Sequence, residues 1–493
     1  MSKILIRYRY FLYSIVLILF KIFRMDKIKF GTDGWRGIIA KDFTLSNVAK
    51  VAYALARWLA GKHQNPSAVI GYDCRFGGEM FMEAIAKILA SKNIRVYISE
   101  SYVTSPMVSL GVVKLKANCG IIITASHNAP EFNGIKLKGD YGGPLLDRDI
   151  KDIENLISSD YEFDLEMLNW NYLVEHGLIQ YINLEAIYLK NIHENFDIER
   201  LNRSELRFAF DAMYGSAQNI FKKLMPNVKL FRCEVNPSFL GIPPEPLAKN
   251  LHLIEEHIWQ YHDIDAALAV DGDGDRLAFF DENGTYLDSH NLLLLIIYYL
   301  AEYKKLSGKI VTSISATNKI ETLCAHFGLE VIRTPIGFKE ITNIMLNENI
   351  LAGGEETGGI SLGTYLPERD GIWVGLVIWN WLEETGKKLS ELMQEVYAIT
   401  GPFAYERLDL ELNKNARNKV LELCKNHAYT EFGEFLVTGV TSIDGYKFQL
   451  GEGQWVMLRA SGTEPVIRIY AEAENRERVV SIINAVVNRV SVV

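Results

Sequence analysis

Ala266-Ala-Leu-Ala-Val270, Asp271-Gly-Asp-Gly-Asp-Arg276 and Leu277-Ala-Phe-Phe280 read as a buried strand, a glycine-spaced acidic turn and a second strand. A short run of small and branched apolar residues suits a strand covered on both faces, as in the parallel sheet of an α/β domain. In such sheets ligands gather beyond the carboxyl ends of the strands, where Asp271, Asp273 and Asp275 stand. The glycines let the backbone turn sharply and present several hard oxygens to one cation. Mg²⁺ favours this set, a few carboxylates completed by a phosphate oxygen. Arg276 is placed to hold the same phosphate or to balance the carboxylates. A calcium loop of EF-hand type fits less well, since Arg276 occupies the place of the turn glycine and strands flank the loop. An aspartyl phosphoryl acceptor and a plain solvated acidic turn remain as alternatives.

The strand-loop-helix pattern recurs outward from this stretch. It passes through Ala68-Val-Ile-Gly-Tyr-Asp73 and Gly120-Ile-Ile-Ile-Thr124, through Leu206-Arg-Phe-Ala-Phe-Asp211, and through Lys309-Ile-Val-Thr-Ser-Ile-Ser315. These runs predict three related mixed α/β domains. From about Gly401 the pattern changes to the strands Gln454–Leu458 and Val466–Tyr470 and a closing helix. Its apolar stripe of Val479, Val480, Ile482, Ile483, Val486, Val487 and Val490 is expected in a core, with Glu477, Arg478, Ser481, Asn484 and Asn488 opposite. A chain of 493 residues exceeds one hydrophobic core. The expected division is an extension 1–24, domain I 25–165, domain II 166–285, domain III 286–400 and a smaller α+β domain IV 401–493.

A formal net charge of −9 argues against a nucleic-acid partner, which needs a basic surface. The five cysteines, Cys74, Cys119, Cys233, Cys324 and Cys424, form no CxxC pair, so neither a zinc site nor a disulfide framework is expected and the cytoplasm is the natural compartment. Phe11–Phe20 is an apolar run behind Lys3, Arg7 and Arg9 and closed by Lys21 and Arg24. It is too short to span a bilayer and lacks a cleavage site, so an upstream-extended start with Met25 as working initiator is favoured over a membrane anchor.

After the strand ending at Ile123 comes Thr124-Ala-Ser-His-Asn-Ala-Pro130, then Phe132-Asn-Gly-Ile-Lys136. Ser126 is a candidate nucleophile with His127 and Lys136 able to supply a base or a positive field. The competing reading is a serine or asparagine that caps a following helix. Gly353-Gly-Glu-Glu-Thr-Gly-Gly359 joins a pliable backbone to carboxylates and a hydroxyl suited to sugar hydroxyls. Arg459-Ala-Ser-Gly-Thr-Glu-Pro465 offers a guanidinium, hydroxyls and backbone N–H groups, a cradle for a dianion that is also a hairpin turn.

Together with Thr32-Asp-Gly-Trp-Arg-Gly37, these loops occur in an order that resembles the α-D-phosphohexomutases, the family of phosphoglucomutases and phosphomannomutases, from about Lys27 to the C-terminus. The resemblance implies four domains around a central cleft, each giving one loop. It implies Ser126 as phosphoserine and one Mg²⁺ held by Asp271, Asp273, Asp275 and Ser126. By the same resemblance Glu355 and Thr357 read sugar hydroxyls. Arg459, Ser461, Gly462 and Thr463 hold the phosphate that is not transferred, while Arg36, Lys136, Arg276 and Lys339 supply positive charge. The implied reaction interconverts hexose 1-phosphate and hexose 6-phosphate through a hexose 1,6-bisphosphate, which is both intermediate and activator. Positioning and charge neutralisation carry most of such a transfer.

Two departures stand out. Thr357 replaces the usual serine, and positions where some branches carry histidine hold Phe338 and Gly359. The acid and base therefore stay open among Lys136, His127, Arg36 and Lys339. The sugar loop leans towards glucose, with mannose also accepted. A phosphoglucosamine mutase and a non-catalytic sugar-phosphate binding protein are the alternatives. Small sugar phosphates are the expected partners, nucleic acid and membrane are not, and oligomeric state is not legible.

Overall fold

The computed structural model describes residues 28–158, 165–451, 453–461 and 466–491. The extension 1–24, Gly462 and Thr463 lie outside the described residues.

Three sheets follow one plan. The first contains β1 (Trp35–Ile38), β2 (Ser67–Tyr72), β3 (Arg95–Ser99), β4 (Cys119–Ile123), β5 (Phe132–Gly139) and β6 (Ile179–Ile182), in the order β1-β5-β4-β2-β3-β6. β6 lies past residue 165 and still pairs parallel to β3, at the edge of this first sheet. The second contains β7 (Phe208–Asp211), β8 (Lys229–Phe231), β9 (Ala266–Val270), β10 (Leu277–Asp281) and β11 (Tyr286–Leu287), ordered β11-β10-β9-β7-β8. The third, β12 (Lys309–Ser313), β13 (Val331–Thr334), β14 (Ile350–Gly354) and β15 (Ile360–Leu362), is ordered β13-β12-β14-β15.

In each sheet a parallel centre is joined by one antiparallel neighbour: β5 on β4, β10 on β9 and β15 on β14. The loop between that pair is in every case one of the loops singled out from sequence. β4, β9 and β14 are buried along their whole length, which is why they read as unbroken apolar or small-residue runs. The fourth sheet is antiparallel. β16 (Ala404–Glu411) is followed by the hairpin β17 (Glu431–Phe432) and β18 (Phe435–Leu436), then by β19 (Gly439–Thr441), β20 (Tyr446–Gln449), β21 (Trp455–Ala460) and β22 (Val466–Ala473), with the order β16-β22-β21-β20-β19 in the main sheet.

One apolar cluster runs from Val69 through Phe210, Leu268 and Trp379 to Val396, so the first three domains share a continuous core. Phe210 and Phe221 are fully buried in it, each contributing about 2 kcal/mol by area removed from water. A smaller cluster of Ile314, Trp455, Met457 and Tyr470 joins the third and fourth domains. The closing helix Arg476–Val490 buries Val479, Ile482, Ile483, Val486 and Val490. The expected stripe is narrower than predicted, because Val480 points to solvent at 44% exposure and Val487 is half-buried. Among the described residues no helix is long and apolar enough to cross a membrane.

Candidate active site

Ser126 does not cap a helix. It sits in a turn with φ 53°, fully buried, and the next regular element is the strand β5. Arg75 holds this turn from behind. Its Nη1 donates to the carbonyls of Ala129 (2.8 Å) and Phe132 (3.0 Å), and its Nη2 to those of Ser126 (2.7 Å) and Asn128 (2.6 Å). Asp73 lies 3.3 Å from Arg75 Nε and accepts a hydrogen bond from the Thr124 hydroxyl, and the Ser126 N–H donates to that hydroxyl at 2.8 Å. Burial pushes the Asp73 carboxyl up to about 6, with Arg75 and Thr124 working against it. Sequence reading missed Arg75, Asp73 and the role of Thr124. The available signal was that Asp73 directly follows β2, as Thr124 directly follows β4.

The aspartate loop meets this turn across the boundary between the first two domains. Ser126 Oγ donates to Asp271 Oδ2 at 2.6 Å and lies 3.3 Å from His127 Nδ1. The approach is close enough to require glycine: a Cβ on Gly272 would lie 2.6 Å from the Ser126 carbonyl oxygen. Asp271 Oδ1 accepts the N–H groups of Asp275 (3.0 Å) and Arg276 (3.1 Å), which folds the loop onto itself. Asp273 accepts from Ser105, at the start of the helix Ser105–Leu115.

Asp271, Asp273 and Asp275 are fully buried, with their nearest oxygens within 4.8 Å of one another. Asp273 Oδ1 and Asp275 Oδ1 are buried and accept no hydrogen bond. Orphaned carboxylate oxygens in a closed acidic cluster are what a hard divalent cation satisfies, so these residues fit one. Burial and the two neighbouring carboxylates raise Asp271 well above the ordinary range. Burial opposes ionisation of Asp273 as well, but Lys136 and Ser105 overcome it and hold its carboxyl low.

Lys136 Nζ lies 2.6 Å from Asp275, 2.8 Å from Asp273 and 2.9 Å from Asp33. Burial alone would depress this ammonium, yet the three carboxylates raise it, so Lys136 is held charged. Arg36 pairs with Asp33 at 3.3 Å and donates to Asn128. Asp33, which the sequence reading did not single out, is thus shared by Arg36, Lys136 and Arg369. Those three cations outweigh its burial and hold it well below the ordinary range. Burial, then Arg276, Arg36 and Lys136, lower His127 and keep it neutral. Arg276 is buried beside Glu245, 3.6 Å from Nη1 to Oε1, and its Nε has no partner.

In the third domain Glu355 is buried and accepts the Gly337 N–H at 2.8 Å. Burial and the adjacent Glu356 push its carboxyl up to about 7, against Arg369 and the Gly337 N–H. Glu356 is taken by the hydroxyls of Ser313 (2.9 Å) and Ser315 (2.6 Å). Thr357 is half-buried. Lys339 is engaged by the Gly31 carbonyl (3.0 Å) and Asp147 (2.9 Å). In the fourth domain Arg459 Nε donates to Asp444 at 2.9 Å, and the same Asp444 oxygen accepts the Ile336 N–H at 3.0 Å. The successive amides of Ile336 and Gly337 therefore link Arg459, through Asp444, to Glu355. Ser461 is buried at the end of β21 and its N–H bonds the Val466 carbonyl at 3.1 Å, closing the expected hairpin.

Four family profiles match the chain in order: phosphoglucomutase/phosphomannomutase domain I over residues 27–163, domain II over 186–284, domain III over 288–399 and the C-terminal domain over 411–489. The chain is 30% identical over 458 residues to a phosphoglucomutase/phosphomannomutase of Thermococcus kodakarensis, covering 91% of this chain and 95% of that one. This chain belongs to the phosphoglucomutase/phosphomannomutase family. As a phosphohexomutase it is an enzyme, which sets aside the non-catalytic reading. A phosphoglucosamine mutase of Carboxydothermus hydrogenoformans is 29% identical over 473 residues, covering 93% of this chain and 99% of that one. A solved structure from Thermus thermophilus, assigned to the phosphomannomutases, superposes with a TM-score of 0.83 at 30% identity over 94% of this phosphohexomutase and 99% of that chain.

Proposed function

We propose that this phosphohexomutase interconverts hexose 1-phosphate and hexose 6-phosphate, with glucose preferred and mannose accepted, and that Ser126 carries the phosphoryl group. The observation that supports this best is the 2.6 Å hydrogen bond from Ser126 Oγ to Asp271, inside a buried cluster of three carboxylates and one charged lysine. A seryl oxygen held there is shielded from water, beside three carboxylates that would bind a cation and a charged lysine that suits a phosphoryl group.

Asp271, Asp273 and Asp275, with the oxygen of Ser126, would hold one Mg²⁺. Bound there, Mg²⁺ would neutralise charge on the transferred phosphoryl. Arg36 and Lys136 line the transfer place and stay charged. In the forward transfer the P–Oγ bond of phosphoserine breaks as a bond from phosphorus to the free sugar oxygen forms, and the sugar hydroxyl proton passes by way of His127 to the released Ser126 Oγ, giving the 1,6-bisphosphate. The bisphosphate turns, and its other phosphoryl returns to Ser126 as the bond from that phosphorus to the sugar oxygen breaks, with the seryl proton passing by way of the neighbouring His127 to the sugar oxygen released. His127 is the one candidate base with a ring nitrogen at hydrogen-bond distance from Ser126 Oγ, while Lys136, Arg36 and Lys339 are engaged in ion pairs. Glu355 and Thr357 face the sugar hydroxyls. Arg459 and Ser461, with Gly462 and Thr463, hold the stationary phosphate. The cytoplasm is the proposed compartment.

Glucose and mannose differ only at C2, so a loop gripping other hydroxyls separates them weakly. The deciding assay offers glucose, mannose and glucosamine 1-phosphates with Mg²⁺ and a trace of the matching bisphosphate. Fastest turnover of glucose 1-phosphate supports the reading, preference for glucosamine 1-phosphate replaces it with the activity named for the Carboxydothermus relative, and no turnover of any overturns it. Intact-mass analysis should find phosphate on Ser126, and Ser126→Ala should abolish exchange.

A further inference from the structure

Arg369 belongs to none of the loops read from sequence. It precedes the helix Gly371–Thr385, is 2% exposed, and touches carboxylates from three distant parts of the chain. Its Nη2 lies 2.8 Å from Asp33 and 2.7 Å from Asp275, and its Nη1 lies 4.0 Å from Glu355 Oε2. The guanidinium carbon sits 5.2 Å from the centre of the Phe338 ring. Its Nε is buried with no hydrogen-bond partner.

The stem of this side chain crosses Gly359, which closes the sugar loop. A Cβ on Gly359 would stand 2.1 Å from Arg369 Cδ, 2.8 Å from Cγ and 3.4 Å from Nε, and these are its three nearest neighbours. Gly359 is not in the left-handed region. The arginine, not the backbone, therefore requires a glycine there. A guanidinium presents its donors in a rigid fork, so anchoring Nη2 between Asp33 and Asp275 fixes where Nη1 points. It points to Glu355.

The geometry points to Arg369 as a positioning residue for the sugar phosphate: it aligns the Glu355 carboxylate with the aspartate cluster, in a path that Gly359 leaves open and Phe338 floors. This rests on the proposed role of Glu355 as a reader of sugar hydroxyls. The arrangement joins one residue from each of the first three domains, so the recognising carboxylate is oriented towards the place of transfer through a single 4.0 Å contact.

The test is a double-mutant cycle on the full chain, reading KM and kcat for the preferred hexose 1-phosphate. Gly359→Ala displaces the arginine without removing its charge, and should raise KM about tenfold while kcat changes by less than about threefold. Arg369→Ala should raise KM at least as much. Adding Gly359→Ala to Arg369→Ala should then raise KM by no more than about twofold, because the obstructed side chain is gone. Additive effects, or a Gly359→Ala enzyme with unchanged KM, would overturn the inference. Should Arg369→Ala not fold, the second cycle pairs Gly359→Ala with Glu355→Gln. Non-additivity in KM supports an action through Glu355, and additivity overturns it. Failure of the parent reading shows differently, as absence of turnover by the unsubstituted enzyme.

Discussion

The serine loop and the Glu355 loop, the proposed sugar end of the site, are built to different stiffness. Ser126 is locked by its own backbone strain, by an N–H bond to Thr124, by an oxygen bond to Asp271 and by Arg75 gathering four carbonyls of its turn. Glu355 rests on one backbone N–H and on a guanidinium 4.0 Å away. In the proposed cycle Ser126 gives and regains the phosphoryl at one position, so rigidity there would serve the transfer. In the same proposal Glu355 meets a bisphosphate in two orientations, and fewer fixed bonds would leave it room to do so. The contrast teaches that the chemistry is preorganised while recognition is adjustable.

The hardest blow to this contrast is Arg75→Ala. Removing the guanidinium strands Asp73 and four inward carbonyls, and the loss should be about 3–5 kcal/mol of stability, read by urea unfolding, with transfer falling alongside. A stable, active Arg75→Ala enzyme would mean that the serine turn holds itself. The next effect falls on the footing of the sugar end. Asp370 caps the helix that follows Arg369, accepting from the Trp373 N–H at 2.9 Å and from the Tyr188 hydroxyl, and burial pushes its carboxyl up to about 7. The native state thus keeps a proton that the unfolded chain releases near pH 4, and stability declines as pH rises between about 4 and 7. Asp370→Asn should remove about 2 to 3 kcal/mol of the decline between pH 5 and 8, measured by unfolding at both values. An unchanged slope would place the titration elsewhere. Smallest is Glu355→Gln, which keeps an acceptor for the Gly337 N–H. It should raise KM about tenfold and leave kcat within about threefold, in steady-state assays. An equal fall in kcat would erase the distinction between the two ends.

Much of the serine end was legible because its parts are contiguous. Strand, glycines, carboxylates and serine announce themselves within two short stretches, and β4, β9 and β14 stand out by their unbroken burial. Arg369 was not legible, although Glu368-Arg369-Asp370 is a dense charged triplet before an apolar helix. That context suggests a cap, and for Asp370 a cap is what it is. The reading that suits Asp370 conceals its neighbour, whose partners stand at residues 33, 275 and 355. Asp33 and Arg75 were hidden for the same reason, since only tertiary folding brings their partners together. The departures at Phe338 and Gly359 were visible from the start. Their meaning was not, because both are surfaces against which Arg369 packs.

Each of the three loops links strands that are neighbours in both sequence and sheet, so every domain can shape its own loop by short-range closure. The ionic partners, however, belong to other domains: Lys136 answers Asp273 and Asp275, and Ser126 answers Asp271. Until the domains dock, the aspartate loop is only a repelling negative turn and the seryl oxygen is an ordinary alcohol. If Ser126 is the phosphoryl acceptor, as proposed, its working surroundings are completed only when the domains dock.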